Sequence, residues 1–175
     1  MPALNADAIK REPAHRRIDI VVPRVETVLS TLREGGTVCV VEDLGGGAVF
    51  AVAVGAMCTP ESLNQLVSDA GGIISVTVSH ARADALDLPE IVRRKTHLGT
   101  PRYAVSVEAA IGVTTGISAL DRAVTTNRLC DPSTRARDLV RPGHVMPVRV
   151  AHHGVLRHPF GCEAAHDLVH LAGVP

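Results

Sequence analysis

The sequence predicts a layered α/β domain with a mixed sheet, and three observations carry that prediction. β-rich runs and amphipathic segments of helical period interleave along the chain without strict βαβ repetition. Of 175 residues, 46% are hydrophobic and only 2% aromatic, so the core is expected to be Val, Leu, Ile and Ala. The length suits one domain with a proper core, and no internal repeat divides it.

Composition also narrows the partners. Lys plus Arg number 18 against 18 Asp plus Glu, which leaves no electrostatic footprint for DNA, RNA or an anionic membrane. The scarcity of aromatics removes the stacking platforms that single-stranded nucleic acid needs. A small molecule or another protein is the expected partner. Cys39, Cys58, Cys130 and Cys162 form no C-x-x-C pair, which argues against a structural zinc site and a disulfide scaffold. No apolar run reaches signal-peptide or membrane-spanning character. The expected setting is therefore the reduced cytoplasm.

Residues 1–17 mix Pro, Ala and charge without a period and read as a flexible arm or interface strap, leaving 18–175 as a single domain. Ile18 to Val22 reads as an edge strand ended by Pro23. From Arg24 to Glu34, Val25, Val28, Leu29 and Leu32 recur at helical spacing, and Gly35 and Gly36 supply the stop. Val38–Val41 and Ala48–Val54 read as a hairpin around Glu42-Asp-Leu-Gly-Gly-Gly47. The triple glycine lacks the Lys-Ser/Thr ending of a phosphate loop, so a plain turn is expected.

Thr59-Pro60-Glu61 opens a helix with Thr as cap and Pro at the first position, and Gly71 ends it. Gly72–Val78 reads as a strand and Ser79–Leu86 as a short helix. Residues 90–100 carry Arg93, Arg94, Lys95 and His97 without apolar rhythm, a solvated loop or a contact for an anion. A strand is expected at Tyr103–Val107 and a helix at Ser118–Leu129. Arg141-Pro-Gly-His144 reads as a turn into a strand at Val145–Val150, and Ala164–Ala172 as the last helix.

The densest stretch is Gly112-Val-Thr-Thr-Gly-Ile-Ser-Ala-Leu-Asp-Arg122. Its glycines permit a tight turn, and Ser118 with Asp121 imitates a capping box. Thr114 and Thr115 then sit ahead of a helix N-terminus, where an anion can bind or where the junction is purely structural.

Together with Arg141-Pro-Gly-His-Val-Met-Pro147, this stretch resembles the 3,4-dihydroxy-2-butanone 4-phosphate synthase family of the riboflavin pathway. Leu32-Arg-Glu-Gly35, Gly72-Ile73, Leu88-Pro89 and Leu171-Ala-Gly173 follow in the family's order, from about Val25 to Pro175. The resemblance implies a homodimer with active sites at the subunit interface. It also implies a magnesium-dependent conversion of ribulose 5-phosphate to formate and a four-carbon phosphate.

In the family, an acidic loop after the first strand holds a metal-binding Glu, a substrate Arg and a catalytic Asp. Here a shorter stretch, Val41-Glu-Asp-Leu-Gly-Gly-Gly-Ala48, stands in its place. Where the family has Arg-Gly-Gly-His-Thr-Glu-Ala, this chain has His158-Pro-Phe-Gly-Cys-Glu-Ala164. Gly161 thus stands for the metal-binding His, Cys162 for the Thr, and His158 for the Arg unless Arg157 shifts to serve.

The implied metal ligands are missing, so no metal or cofactor is expected. Thr114, Thr115, Arg141, His144, Arg157 and His158 are the candidate substrate-binding residues. Cys162, Glu163, Glu42 and Asp43 are the candidate catalytic groups. A thiol at a helix N-terminus can be acidified, with His166 four positions on, although a packed thiol is the plainer account of Cys162. Glu163, His166 and His170 share a helical face on which a relocated metal site is conceivable. The expected function is a metal-independent dehydration, isomerisation or cyclisation of a small metabolite in specialised metabolism. The alternative is a non-catalytic homologue that binds a ligand or pairs with an active subunit.

Overall fold

The computed structural model describes residues 14–43, 47–92 and 100–174, with side chains from residue 24 onward. Helix α1 runs Ala14–Arg33 and takes in the expected edge strand at Ile18–Val22. The reason is a continuous stripe: Ile18, Val21, Val22, Val25, Val28, Leu29 and Leu32 keep one helical period through Pro23. Pro23 lacks the N–H that would reach Asp19, yet the helix runs on through it. The helix also begins inside the segment expected as a flexible arm. Its C-terminal half buries Leu29 and Leu32 against Val54 and Ala172, and Gly35, at φ +78°, ends it as expected.

Strands β1 (Val38–Val41) and β2 (Val49–Val52) form the expected antiparallel hairpin, with Val38 opposite Val52 and Val41 opposite Val49. Leu44, Gly45 and Gly46 of its turn lie outside the described residues, as do Arg93, Arg94, Lys95 and His97. Helix α2 (Pro60–Ala70) starts as its sequence dictates. The Thr59 hydroxyl accepts from Ser62 N–H, Ser62 reciprocates, and left-handed Gly71 closes the helix.

A three-stranded mixed sheet forms the other half of the fold. Its order is β3 (Ser75–Val78), β5 (Leu139–Arg149), β4 (Val107–Ala109), with β3 parallel and β4 antiparallel to the central β5. Helices α3 (His80–Ala85) and α4 (Ala119–Cys130) are capped by Ser79 and Ser118. Val78, Leu86, Leu88, Val107, Leu129, Leu139 and Val145 fill the core between these elements. Helix α5 (Gly161–Leu171) packs on α1 and both sheets.

Two expected elements are displaced. Tyr103–Val107 makes single bridges rather than a strand, because Ala104 N–H donates to Pro147 O while Val105 N–H turns to Pro89 O; the ladder starts at Val107. The expected turn at residues 141–144 is an irregularity inside β5. Pairing jumps from Val107 opposite Val145 to Glu108 opposite Val140, so Arg141–His144 loop out around the cis Arg141–Pro142 bond.

Candidate active site

The Gly112–Arg122 stretch spends its donors internally. Asp121 is buried, and its carboxylate accepts from Thr114 N–H (3.1 Å), the Thr114 hydroxyl (2.8 Å) and Gly116 N–H (3.0 Å). The anion met by this turn is therefore the chain's own. The Ser118 hydroxyl accepts from Asp121 N–H at 3.0 Å, so half of the expected capping box forms while the acid turns back to the loop. Thr115 is exposed beside it.

The Thr114 hydroxyl, with help from the backbone N–H groups, holds the Asp121 carboxyl below the usual carboxylate range. A group so depressed contributes stability that is complete above the unfolded value of about 3.9 and is lost as pH falls through the folded value. Asp121→Asn is thus expected to be less stable than the native protein at neutral pH. Denaturation across a pH series should show the gap beginning to close only below about pH 4. A gap unchanged in acid contradicts the assignment.

Beneath this loop lies Glu108, a residue the sequence reading did not single out. A Cβ on Gly116 would overlap the Glu108 carboxylate, which pairs with His144 Nδ1. The signal was available: Glu108 alternates with buried Val107 and Ala109, which puts an acid on the other face of a buried strand. The Arg141 guanidinium donates to Leu86 O (2.5 Å) and Leu139 O (3.5 Å), so it braces the framework.

A second group gathers at the start of α5. That helix begins at Gly161, earlier than the expected Ala164, which places Cys162 and Glu163 in its first turn. Phe160 offers no side-chain cap; instead Glu42 Oε2 accepts from Gly161 N–H at 2.9 Å. A carboxylate at a helix N-terminus is favoured by the helix dipole and satisfies an orphan donor. Glu163 is buried, with Oε1 accepting from Ala151 N–H at 3.2 Å and lying 3.1 Å from His158 Nδ1. The His158 ring packs against Phe160 at 4.4 Å between centroids, tilted by 58°. Asp43 and Arg157 are exposed nearby in sequence.

The structure thus unites Glu42, His158, Cys162 and Glu163, but not with an acidified thiol. Burial, then the neighbouring Glu163 and Glu42 charges, push the Cys162 thiol up to about 12, so it is a protonated SH at neutral pH. The plainer reading of a packed thiol holds: burial, with the Glu163 and Glu42 charges added to it, outweighs any acidification by the helix terminus. Nor do Glu163, His166 and His170 converge. His166 Nδ1 lies 3.3 Å from the Thr77 hydroxyl and burial pushes its imidazole down, whereas His170 is exposed.

A mixed sheet covered by helices, with a Gly-Thr loop locked on an internal Asp and an acidic corner at the last helix, defines a layered α/β protein. The family profile described as 3,4-dihydroxy-2-butanone 4-phosphate synthase matches residues 26–175. The chain belongs to that family.

Its relatives include the Edwardsiella ictaluri 3,4-dihydroxy-2-butanone 4-phosphate synthase, 41% identical over 155 residues that make up 86% of this chain and 69% of that protein. The riboflavin biosynthesis protein RibBA of Salinispora arenicola is 40% identical over 154 residues, 86% of this chain but 36% of that protein. This chain therefore spans little more than a third of the RibBA relative. A solved synthase in complex with two magnesium ions matches with a TM-score of 0.81 and 32% identity, over 86% of this chain and 70% of that one.

Magnesium of that kind demands several hard oxygen ligands in near-octahedral array. The side chains here do not fit it. Glu42 is bonded to the helix terminus, Glu163 accepts from Ala151 N–H and lies against His158, and Gly161 has no side chain to offer. Among the described residues no three His, Cys, Asp or Glu side chains gather into a metal-holding group. Among the same residues, no helix is long and apolar enough to cross a membrane.

Proposed function

We propose that this chain is a family member turned to metal-independent acid-base chemistry on a small carbonyl metabolite, in place of the rearrangement that the synthases' name denotes. The observation that carries the reading is the Glu42 carboxylate bonded to Gly161 N–H, which fills the corner with proton-transfer groups and leaves no ligand cluster. Dehydration illustrates the chemistry. The Glu163 carboxylate takes the proton beside the substrate carbonyl, and the C–H electron pair becomes a C=C bond. The Glu163–His158 pair protonates the departing hydroxyl, so water leaves and no redox partner is required. Isomerisation and cyclisation begin with the same proton removal.

Exposed Thr115 and Arg157 remain available to a substrate, and a homodimer would bring one subunit's Thr114–His144 framework to the other's corner. Ile111, Ile117, Leu120 and Val140 around that framework are 80%, 59%, 57% and 45% exposed, an apolar face suited to a second copy. Monomeric mass by sedimentation equilibrium contradicts this part of the reading.

The test of the chemistry uses ribulose 5-phosphate as probe in D2O with excess chelator. The expected result is enzyme-dependent deuterium uptake beside the carbonyl, followed by NMR, and its loss in Glu163→Gln. Removing one proton-transfer group is expected to cost about 100-fold or more in exchange rate. Binding of the probe without exchange favours the non-catalytic alternative, and exchange that survives Glu163→Gln contradicts the assigned roles.

A further inference from the structure

We propose that His80 is a proton-operated latch, which when neutral ties the start of α3 to the end of β5 through two guanidiniums and when protonated lets that end loosen. His80 is the first residue of α3, and its ring lies between Arg102 and Arg149. An Arg102 N–H donates to Nε2 at 2.7 Å, while Arg149 Nη2 lies 3.1 Å from Nδ1. A neutral imidazole has one lone pair, so the shorter contact assigns that pair to Nε2 and the proton to Nδ1. An imidazolium has no lone pair, so a second proton removes the acceptor that Arg102 uses.

The charges around the ring favour the neutral form. Among the described residues, the charged groups that face it are Arg102, Arg149, Asp84 and Glu90. Arg102 pairs with Glu90; Arg149 pairs with Asp84 at 2.5 Å and donates to Leu88 O at 2.9 Å. Two cations and two carboxylates therefore balance, and a protonated His80 would be a third cation between two guanidiniums. Burial first, then Arg102 and Arg149, push the His80 imidazole down against the pull of Asp84 and Glu90. The Asp84 side chain is 69% exposed, so water screens its share of that pull. A histidine depressed in the folded state contributes stability that is complete above the unfolded value of about 6.5. That stability is lost as pH falls through the lowered value.

The latch holds a junction of three segments. Arg149, the last residue of β5, donates its N–H to Arg102 O at 2.9 Å, and Val150 N–H donates to Val78 O at 3.0 Å. Releasing Arg102 from His80 thus frees the segment to which the end of β5 is bonded. Two residues beyond Arg149, Ala151 N–H serves the Glu163 carboxylate. An effect of the latch on catalysis rests on the proton transfer proposed for that corner, whereas the latch itself is read without substrate.

Hydrogen exchange in the full chain tests it, with protection factors corrected for the intrinsic pH dependence. From about pH 7.5 to about pH 5, protection of Arg149 and Val150 N–H is expected to fall about tenfold, the equivalent of one pKa unit between closed and open forms. In His80→Gln, the side-chain oxygen offers Arg102 an acceptor that takes up no proton, so protection should stay level. NMR of the His80 Cε1 proton, identified by its loss in His80→Gln, should show titration below about 6.5, and Arg102→Gln should raise it. Equal loss of protection in the native protein and His80→Gln overturns the proposal, since another group, such as His166 beside Thr77, would then be responsible. So does His80 titration at or above the ordinary value, or titration indifferent to Arg102→Gln. The comparison with His80→Gln decides alone if Arg102→Gln does not fold.

Discussion

Gly143→Ala is expected to destabilise the protein by about 3 kcal/mol, at the upper end of the usual overpacking cost. A Cβ at Gly143 would overlap the Val107 carbonyl and the Glu108 amide, which are backbone atoms of the facing strand. Neither can swing aside as a side-chain tip would. Relief requires β4 to separate from β5 where Val107 and Val145, both fully buried, face each other. The same movement would pull Glu108 from His144 and Ser106 Oγ from Gly143 N–H. Gly72, whose Cβ would meet nothing within 4 Å, is the matched control. Gly72→Ala should change stability by less than about 1 kcal/mol in either direction. Urea denaturation of both variants checks the pair, and equal effects contradict the close-packing argument.

Gly161→His, which would restore the side chain that the family places there, is expected to cost about 1–3 kcal/mol and to gain no magnesium site. The Cβ would overlap the ring of Phe50 on β2, so the hairpin occupies the space an imidazole needs. Phe50→Ala should relieve much of that cost. The double variant is then expected to be more stable than the sum of the single effects allows, a coupling of at least about 0.5 kcal/mol. Isothermal titration with magnesium should show no binding to the single variant, because Glu42 remains bonded to the helix terminus. Additive stabilities would mean that Phe50 is not the obstacle.

These particulars show what the sequence carried and where it stopped. Helix α2 was legible because its signals are local: Thr59, Pro60 and Gly71 define both ends within the segment itself. The Gly112–Arg122 signature was legible as a turn feeding a helix, and its similarity to the synthase family held along the chain. The start of α5 was not legible, because its first donor is capped by Glu42, 119 residues away. The packed-thiol account of Cys162 holds, because burial is the first cause that raises it, with the neighbouring Glu163 and the distant Glu42 adding to it. Pro23 reads as a breaker in isolation, yet the apolar stripe of α1 continues through it. The strand expected before the signature moved to Val107–Ala109 because its partner, β5, sets the register. For α5 and β4 the deciding contact is long-range.

The central claim, that the corner at Glu42 and Gly161 performs proton transfer rather than magnesium-dependent rearrangement, meets its most direct test in one assay. Purified protein is incubated with ribulose 5-phosphate and excess magnesium, and formate is measured against a stand-alone synthase and a protein-free blank. Formate at the level of the blank is the expected result. Magnesium-dependent formate release, abolished by chelation, contradicts the account.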